Sequence, residues 1–236
     1  MTDNVSPEAT MRTTARILST LLIALAGLNS VQAQERTGRY YPLDHRKPLG
    51  EVARWNASIR PAVANYVQPV QVQLPSEGDV TFYQGSVNGA IVLPAPAQVG
   101  MQVGHAYRIK ISNLPNHPGV ELYPTIELLG RLHPPVELKE KYPVPVEITA
   151  EELETAINDQ MVTKVIYLEQ PQLANPTRQV NRKMHVESLG TQVNLLEAAD
   201  MRGRPIAILR MGGRVPDAGS PEDQFYSTSP IILSGK

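Results

Sequence analysis

Apolar and polar residues alternate along much of this chain with the two-residue period of a strand that buries one face. Val70, Val72 and Leu74 fall on one side, and Gln71 and Gln73 on the other. Tyr107, Ile109 and Ile111 alternate with Arg108 and Lys110, which read as a short solvated cationic face. Val144, Val146 and Ile148 repeat the pattern. Shorter strands are predicted at Val80–Tyr83, Ala90–Leu93, Val120–Leu129 (interrupted by Pro124), Met184–Leu189, Gln192–Leu196, Ile206–Met211 and Pro230–Leu233. Val162–Leu168 is β-branched or apolar on both faces, which predicts a central strand. Between these runs lie turn residues: Pro75-Ser76-Glu77-Gly78-Asp79, Asn88-Gly89, and the loop Asn113–Gly119.

One segment carries a helical signature. Thr149 is placed to cap a helix, and Glu152 three residues later completes a capping box. Leu153, Ala156 and Ile157 share a face, and Glu151 and Glu152 suit the positive end of the helix dipole. The reading is a mainly β protein: an antiparallel, sandwich-like domain of short strands with one clear α-helix at about 149–160 and fewer than 20 helical residues in the mature part. The predicted organisation is a signal peptide at 1–33, an extended N-terminal arm at 34–66, a β-sandwich at 67–145, and a β-rich part with the helix at 146–236. That last part is either the same domain or a second one. The seam is placed at Arg131–Pro145.

Composition supports short strands and many turns. Twenty of the 21 prolines lie after residue 33, about twice the ~5% of an ordinary protein, and proline is excluded from helix interiors and central strands. The net charge is −1, which gives no overall pull toward nucleic acid or an anionic membrane surface. There is no cysteine, so neither disulfides nor lipidation at a cysteine enter.

The N-terminus predicts an address. Arg12 and Arg16 flank a short basic start, Ile17–Leu28 is an uncharged apolar run of 12 residues, and Val31-Gln32-Ala33 supplies small residues at the peptidase positions. The run is too short for the roughly 20 residues of a spanning helix, so the expectation is a cleaved secretory signal with no transmembrane anchor afterwards. Cleavage after Ala33 leaves a secreted or periplasmic chain from Gln34, with either Met1 or Met11 as the start.

Candidate chemistry is sparse. His45, His105, His117, His133 and His185 form no closely spaced pair, so no metal site and no cofactor are predicted. Gly85-Ser86-Val87-Asn88-Gly89 lacks the spacing and the following helix of a nucleophile elbow and reads as a turn. Gly212-Gly213 likewise reads as a tight turn and not a phosphate loop, with Arg210 and Arg214 nearby as anion contacts. Asn56-Ala57-Ser58 matches a glycosylation acceptor only formally. Glu121, Glu127, Glu137 and Glu140 could supply the carboxylate pair of a glycosidase, the alternative reading being a secreted hydrolase. The favoured reading is a non-enzymatic envelope protein that binds another protein or a surface polymer. Its partner-binding residues would be Tyr40, Tyr41, Arg54 and Trp55 in the basic N-terminal arm, since large aromatic residues anchor interfaces.

Gly119–Pro135 and Val162–Pro171 resemble segments of uncharacterised secreted proteins of planctomycete-type bacteria, over roughly Val99–Leu173 and the strand around Ile206–Arg214. The resemblance implies a bacterial envelope or periplasmic setting and carries no catalytic residue with it.

Overall fold

A computed structural model describes residues 43–170, 172, 186–217, 219 and 221–233. The signal segment, Tyr40, Tyr41 and His185 lie outside them. The elements, in chain order, are α1 (Glu51–Ile59), α2 (Pro61–Ala64), β1 (Val67–Gln73), β2 (Asp79–Phe82), β3 (Ile91–Pro94), β4 (Ala97–Gln102), β5 (Ala106–Ser112), β6 (Thr125–Leu128), β7 (Val144–Glu147), α3 (Ala150–Ile157), β8 (Val162–Glu169), α4 (Leu195–Arg202), β9 (Gly203–Met211), α5 (Glu222–Phe225) and β10 (Ile231–Leu233).

Two sheets form: a four-stranded one in the order β10-β4-β1-β7 and a six-stranded one in the order β3-β2-β5-β6-β9-β8. All pairings are antiparallel except β1 with β7. One apolar core draws on both sheets. Val70, Val72, Val99, Met101 and Val146 come from the smaller sheet, and Val80, Phe82, Tyr107, Ile109, Ile126 and Leu209 from the larger. The alternation read along β1 and β5 thus buries its apolar side between the layers, and the mainly β, sandwich-like architecture is as the sequence predicts.

The link Arg131–Pro145 carries the chain from the larger sheet to the smaller. After β6 it runs extended, makes a 3-10 turn at Val136–Lys141, and delivers β7 alongside β1. The seam is therefore a crossover between the two sheets, and the described residues from Leu43 onward fall in one compact unit.

Helix α3 is built as its sequence dictates. The Thr149 side chain accepts from the Glu152 N–H, and the Glu152 carboxylate accepts from the Thr149 N–H at 2.9 Å. Leu153 and Ala156 go into the core.

Helix content departs from expectation. Helices of 9, 8 and 8 residues at α1, α3 and α4 together exceed the predicted ceiling of 20. Residues 51–59 and 61–64, predicted as extended arm, are helical. Val52 and Ala53 pack with Leu43, Leu129, Leu196 and Ile208 on the outer face of the larger sheet. Gln192–Leu196, predicted as a strand, is a turn leading into α4, whose cap is Asn194. Val186–Leu189 is not a strand. Ala97–Gln102 is a strand that the prolines and glycines around it obscured. β8 is an edge strand, not a central one. Its two apolar faces are explained by cover on both sides, with Val162 and Ile166 against the inter-sheet core and Val165 against the α1–α4 cluster.

Candidate functional site

Helix α1 lacks a side-chain cap of its own, because its N-cap is Gly50, with φ of 80°. The sheet supplies one. Glu127 on β6, fully buried, accepts from the Ala53 N–H at 2.8 Å. Arg210 on β9 donates to the other oxygen of Glu127 at 3.1 Å and to the carbonyl of His45 at 2.8 Å. Further along α1, the buried Asn56 amide donates to the Leu129 carbonyl. These contacts and the Val52–Ala53 face fix α1 against the outer face of the larger sheet.

The helix overhangs a cleft of about 650 Å³. One wall is α1, with Gly50, Arg54 and Ala57; the floor is the β4–β5 turn and the start of β5, including His105 and Arg108. The far wall is the segment Phe225–Ser229. That segment is stitched to β5: the Ser227 hydroxyl donates to the Ala106 carbonyl at 2.6 Å, and the Ser229 hydroxyl lies 3.2 Å from His105 Nδ1. Tyr83, Tyr123, Phe225 and Tyr226 pack together behind it, with Tyr83 and Tyr226 ring centres 4.3 Å apart.

Arg108 is the unusual member of the cleft. It is 6% exposed, its guanidinium lies 4.2 Å over the Phe225 ring, and its Nε has no hydrogen-bond partner. No carboxylate among the described residues pairs with it. Burial pushes its pKa down to about 10, and the neighbouring Arg214 pushes the same way. The face of β5 predicted to be solvated is thus closed over Arg108 by a segment more than a hundred residues later. Lys110, two residues on, does have a partner, Glu121, at 2.7 Å. Arg54 is exposed and lies across Gly50, where a Cβ would come within 3.1 Å of its Nη1. Cleft electrostatics are therefore cationic, although the whole chain is near neutral: no Asp or Glu lines it.

Sequence-predicted residues meet different fates. Arg54 lines the cleft; its neighbour Trp55 is 52% exposed on α1. Tyr40 and Tyr41 lie outside the described residues. The carboxylates of the hydrolase reading are not assembled: Glu127 is buried against Arg210 and α1, Glu121 is held by Lys110 and by the Tyr123 hydroxyl at 2.6 Å, and Glu137 is exposed on the crossover. Those two donors hold the Glu121 carboxyl below its ordinary pKa. Asn56 of the formal glycosylation motif is 2% exposed and committed to Leu129. His117 contacts Glu154 at 3.0 Å and His133 sits beside Arg204, so the two loop histidines have separate surroundings. Among the described residues no three His, Cys, Asp or Glu side chains converge as a metal site. Ser229 and His105 are within hydrogen-bond reach of each other, but no carboxylate orients the imidazole, whose pKa is lowered by burial alone. The Ser229 hydroxyl also has the Ala106 carbonyl at 3.3 Å as an alternative acceptor.

Comparison with protein-family models, with curated proteins and with solved structures finds no match. No helix among the described residues is long and apolar enough to cross a membrane.

Proposed function

We propose that this is a secreted, non-enzymatic protein of the bacterial envelope or periplasm that binds a surface polymer through the cleft beneath α1. One observation carries the reading. The cleft gathers the side chains of Arg54, His105 and Arg108, which can hold a ligand, and contains no carboxylate to act as acid or base. Its volume lies within the range of small-ligand clefts, and a concave site of that size fits a chain segment better than it fits a flat protein surface. The address rests on the signal-type pattern of the N-terminus, a basic start, the apolar run Ile17–Leu28 and the small residues Val31 and Ala33.

Co-sedimentation with purified murein sacculi and with envelope polysaccharide tests the binding. Thr228, exposed at the cleft wall, can be replaced by Trp to fill the mouth without touching the core. The wild type should pellet with one of the polymers and Thr228→Trp should lose at least tenfold in affinity with an unchanged circular-dichroism spectrum. Equal binding by both proteins, or by neither, would remove the cleft from the function. Hydrolysis of the polymer by the wild type would restore the enzymatic alternative.

A further inference from the structure

We propose that the cleft is an anion-binding site in which Arg108 anchors an oxyanion (carboxylate, phosphate or sulfate) carried by the ligand, with Arg54 closing on it from the rim. This rests on the cleft being the ligand site and says which chemistry the ligand must present. The first observation is Arg108 itself: a permanently charged group, 6% exposed, with no carboxylate partner and an unpartnered Nε. Taking a guanidinium out of water without a counter-ion is costly, and buried charges are normally paired. The Phe225 ring at 4.2 Å recovers part of that cost through its π face, but a ring satisfies no N–H.

The second observation is the company Arg108 keeps. Arg54 reaches the same cleft from α1, and Arg214 stands behind, 5.9 Å from the centre of the Phe225 ring. Elsewhere several cations are matched to carboxylates (Lys110 with Glu121, Lys164 with Glu152, Arg202 with Glu187, Arg210 with Glu127), while Arg131, whose Nε is also unpartnered, lies over the Tyr66 ring at 4.5 Å outside the cleft. The cleft arginines are left unmatched around an open volume, which is the arrangement of a site whose anion comes from outside. Guanidinium groups bind carboxylate and phosphate oxyanions through two parallel N–H donors.

The test is titration calorimetry with inorganic phosphate, inorganic sulfate, acetate and an oligogalacturonate, at constant ionic strength in chloride. The variants are Arg108→Met, which keeps an unbranched stem against Phe225, and Arg54→Gln at the exposed rim. The wild type should bind at least one of these anions, Arg108→Met should lose that binding at least tenfold, and Arg54→Gln should weaken it severalfold. Which anion binds best separates phosphate-, sulfate- and carboxylate-bearing ligands. Without added anion, Arg108→Met should melt no lower than the wild type, because an unpaired buried charge has been removed. If Arg108→Met does not fold, Arg54→Gln alone decides: undiminished affinity for the anion overturns the proposal. So does a wild type that binds none of the four. Should the wild type bind anions while no envelope polymer pellets with it, the anion site stands and the polymer reading fails. Should a polymer bind in a Thr228-sensitive way that excess anion does not compete, the cleft reading stands and the anion site fails.

Discussion

The carboxylate of Glu127 caps a helix that begins 76 residues earlier in the chain, by accepting the N–H of Ala53 at 2.8 Å. A helix leaves its first N–H groups without intrahelical partners, and Gly50 has no side chain to meet them. The same carboxylate neutralises Arg210, which in turn holds the carbonyl of His45. Glu127 thereby ties together the N-terminal segment, α1 and two adjacent strands, and it sets the height of α1 above the cleft.

Replacing Glu127 by Ala leaves Arg210 with a buried, unanswered charge and α1 without its cap. The expected loss is about 3–5 kcal/mol, the range for removing one partner of a buried ion pair. Glu127→Gln keeps an acceptor for Ala53 and should cost less. Urea denaturation of the three proteins measures the order; a loss in Glu127→Ala below about 0.5 kcal/mol, the level of an ordinary surface change, would show that the network carries no stability.

Local patterns were readable in the sequence, and long-range ones were not. The Thr149–Glu152 box lies within four residues and needs no other part of the chain. The alternation of β5 names its core face correctly, because Tyr107, Ile109 and Ile111 all enter the core. What covers the opposite face, and so buries Arg108, is Phe225–Ser229, and nothing near β5 announces it. Helix α1 was obscured by its own surface. Its buried positions Val52, Ala53 and Asn56 have helical spacing, but the exposed Trp55 and Ile59 are apolar too and blur the period. Glu127 offered a signal, a lone charge in the otherwise uncharged Thr125-Ile126-Glu127-Leu128, each of which is buried. A carboxylate at such a place is more readily a buried partner than a solvent-facing catalyst.

The capping box of α3 gives a second expectation. Thr149→Ala removes the acceptor for Glu152 N–H and should cost about 1 kcal/mol, the usual value for an N-cap. Glu152→Ala should cost more, since the carboxylate also holds Lys164 at 2.7 Å. Urea midpoints check the ranking, and the reverse order would mean that the ion pair adds nothing to the cap.

His45 gives the protein a dependence on pH. Burial, the largest influence, lowers its pKa from 6.5; Arg46 and Arg210 push the same way, against Asp44 and Asn194. The neutral ring accepts the Leu195 N–H at Nδ1, 3.2 Å away, at the start of α4. A proton on Nδ1 would exchange that contact for the Asp44 carboxylate at 2.9 Å. The unfolded chain takes up this proton more readily than the folded one, so the stabilisation is present above 6.5 and lost as pH falls through 6.5 toward the lowered folded-state value. His105 and His133 shift in the same direction and add to the decline. Urea midpoints between pH 7.5 and 5 should therefore fall, and fall less in His45→Asn. Parallel declines in the two proteins would exclude His45 as a contributor.

Gly104, in the turn between β4 and β5, governs how close α1 can lie to the cleft floor. Its φ is +92°, and a Cβ there would come within 2.8 Å of the Ala57 Cβ on α1. The turn cannot swing away freely, because the Gly104 N–H is bound to the Leu128 carbonyl at 2.9 Å. Gly104→Ala therefore meets two separate penalties, backbone strain at a positive φ and a collision with the helix, together about 1–3 kcal/mol. Ala57→Gly removes the collision while leaving the strain, at a helix-propensity cost of about 1 kcal/mol of its own. The double variant should thus be more stable than the sum of the single effects implies, by at least about 0.5 kcal/mol. Because Ala57 and Arg54 share the cleft-facing side of α1, Gly104→Ala should also weaken anion binding, and the Ala57→Gly background should restore part of it. Strictly additive stabilities would show that α1 does not rest on this turn, and unchanged anion affinity in Gly104→Ala would show that the height of the helix does not set the cleft.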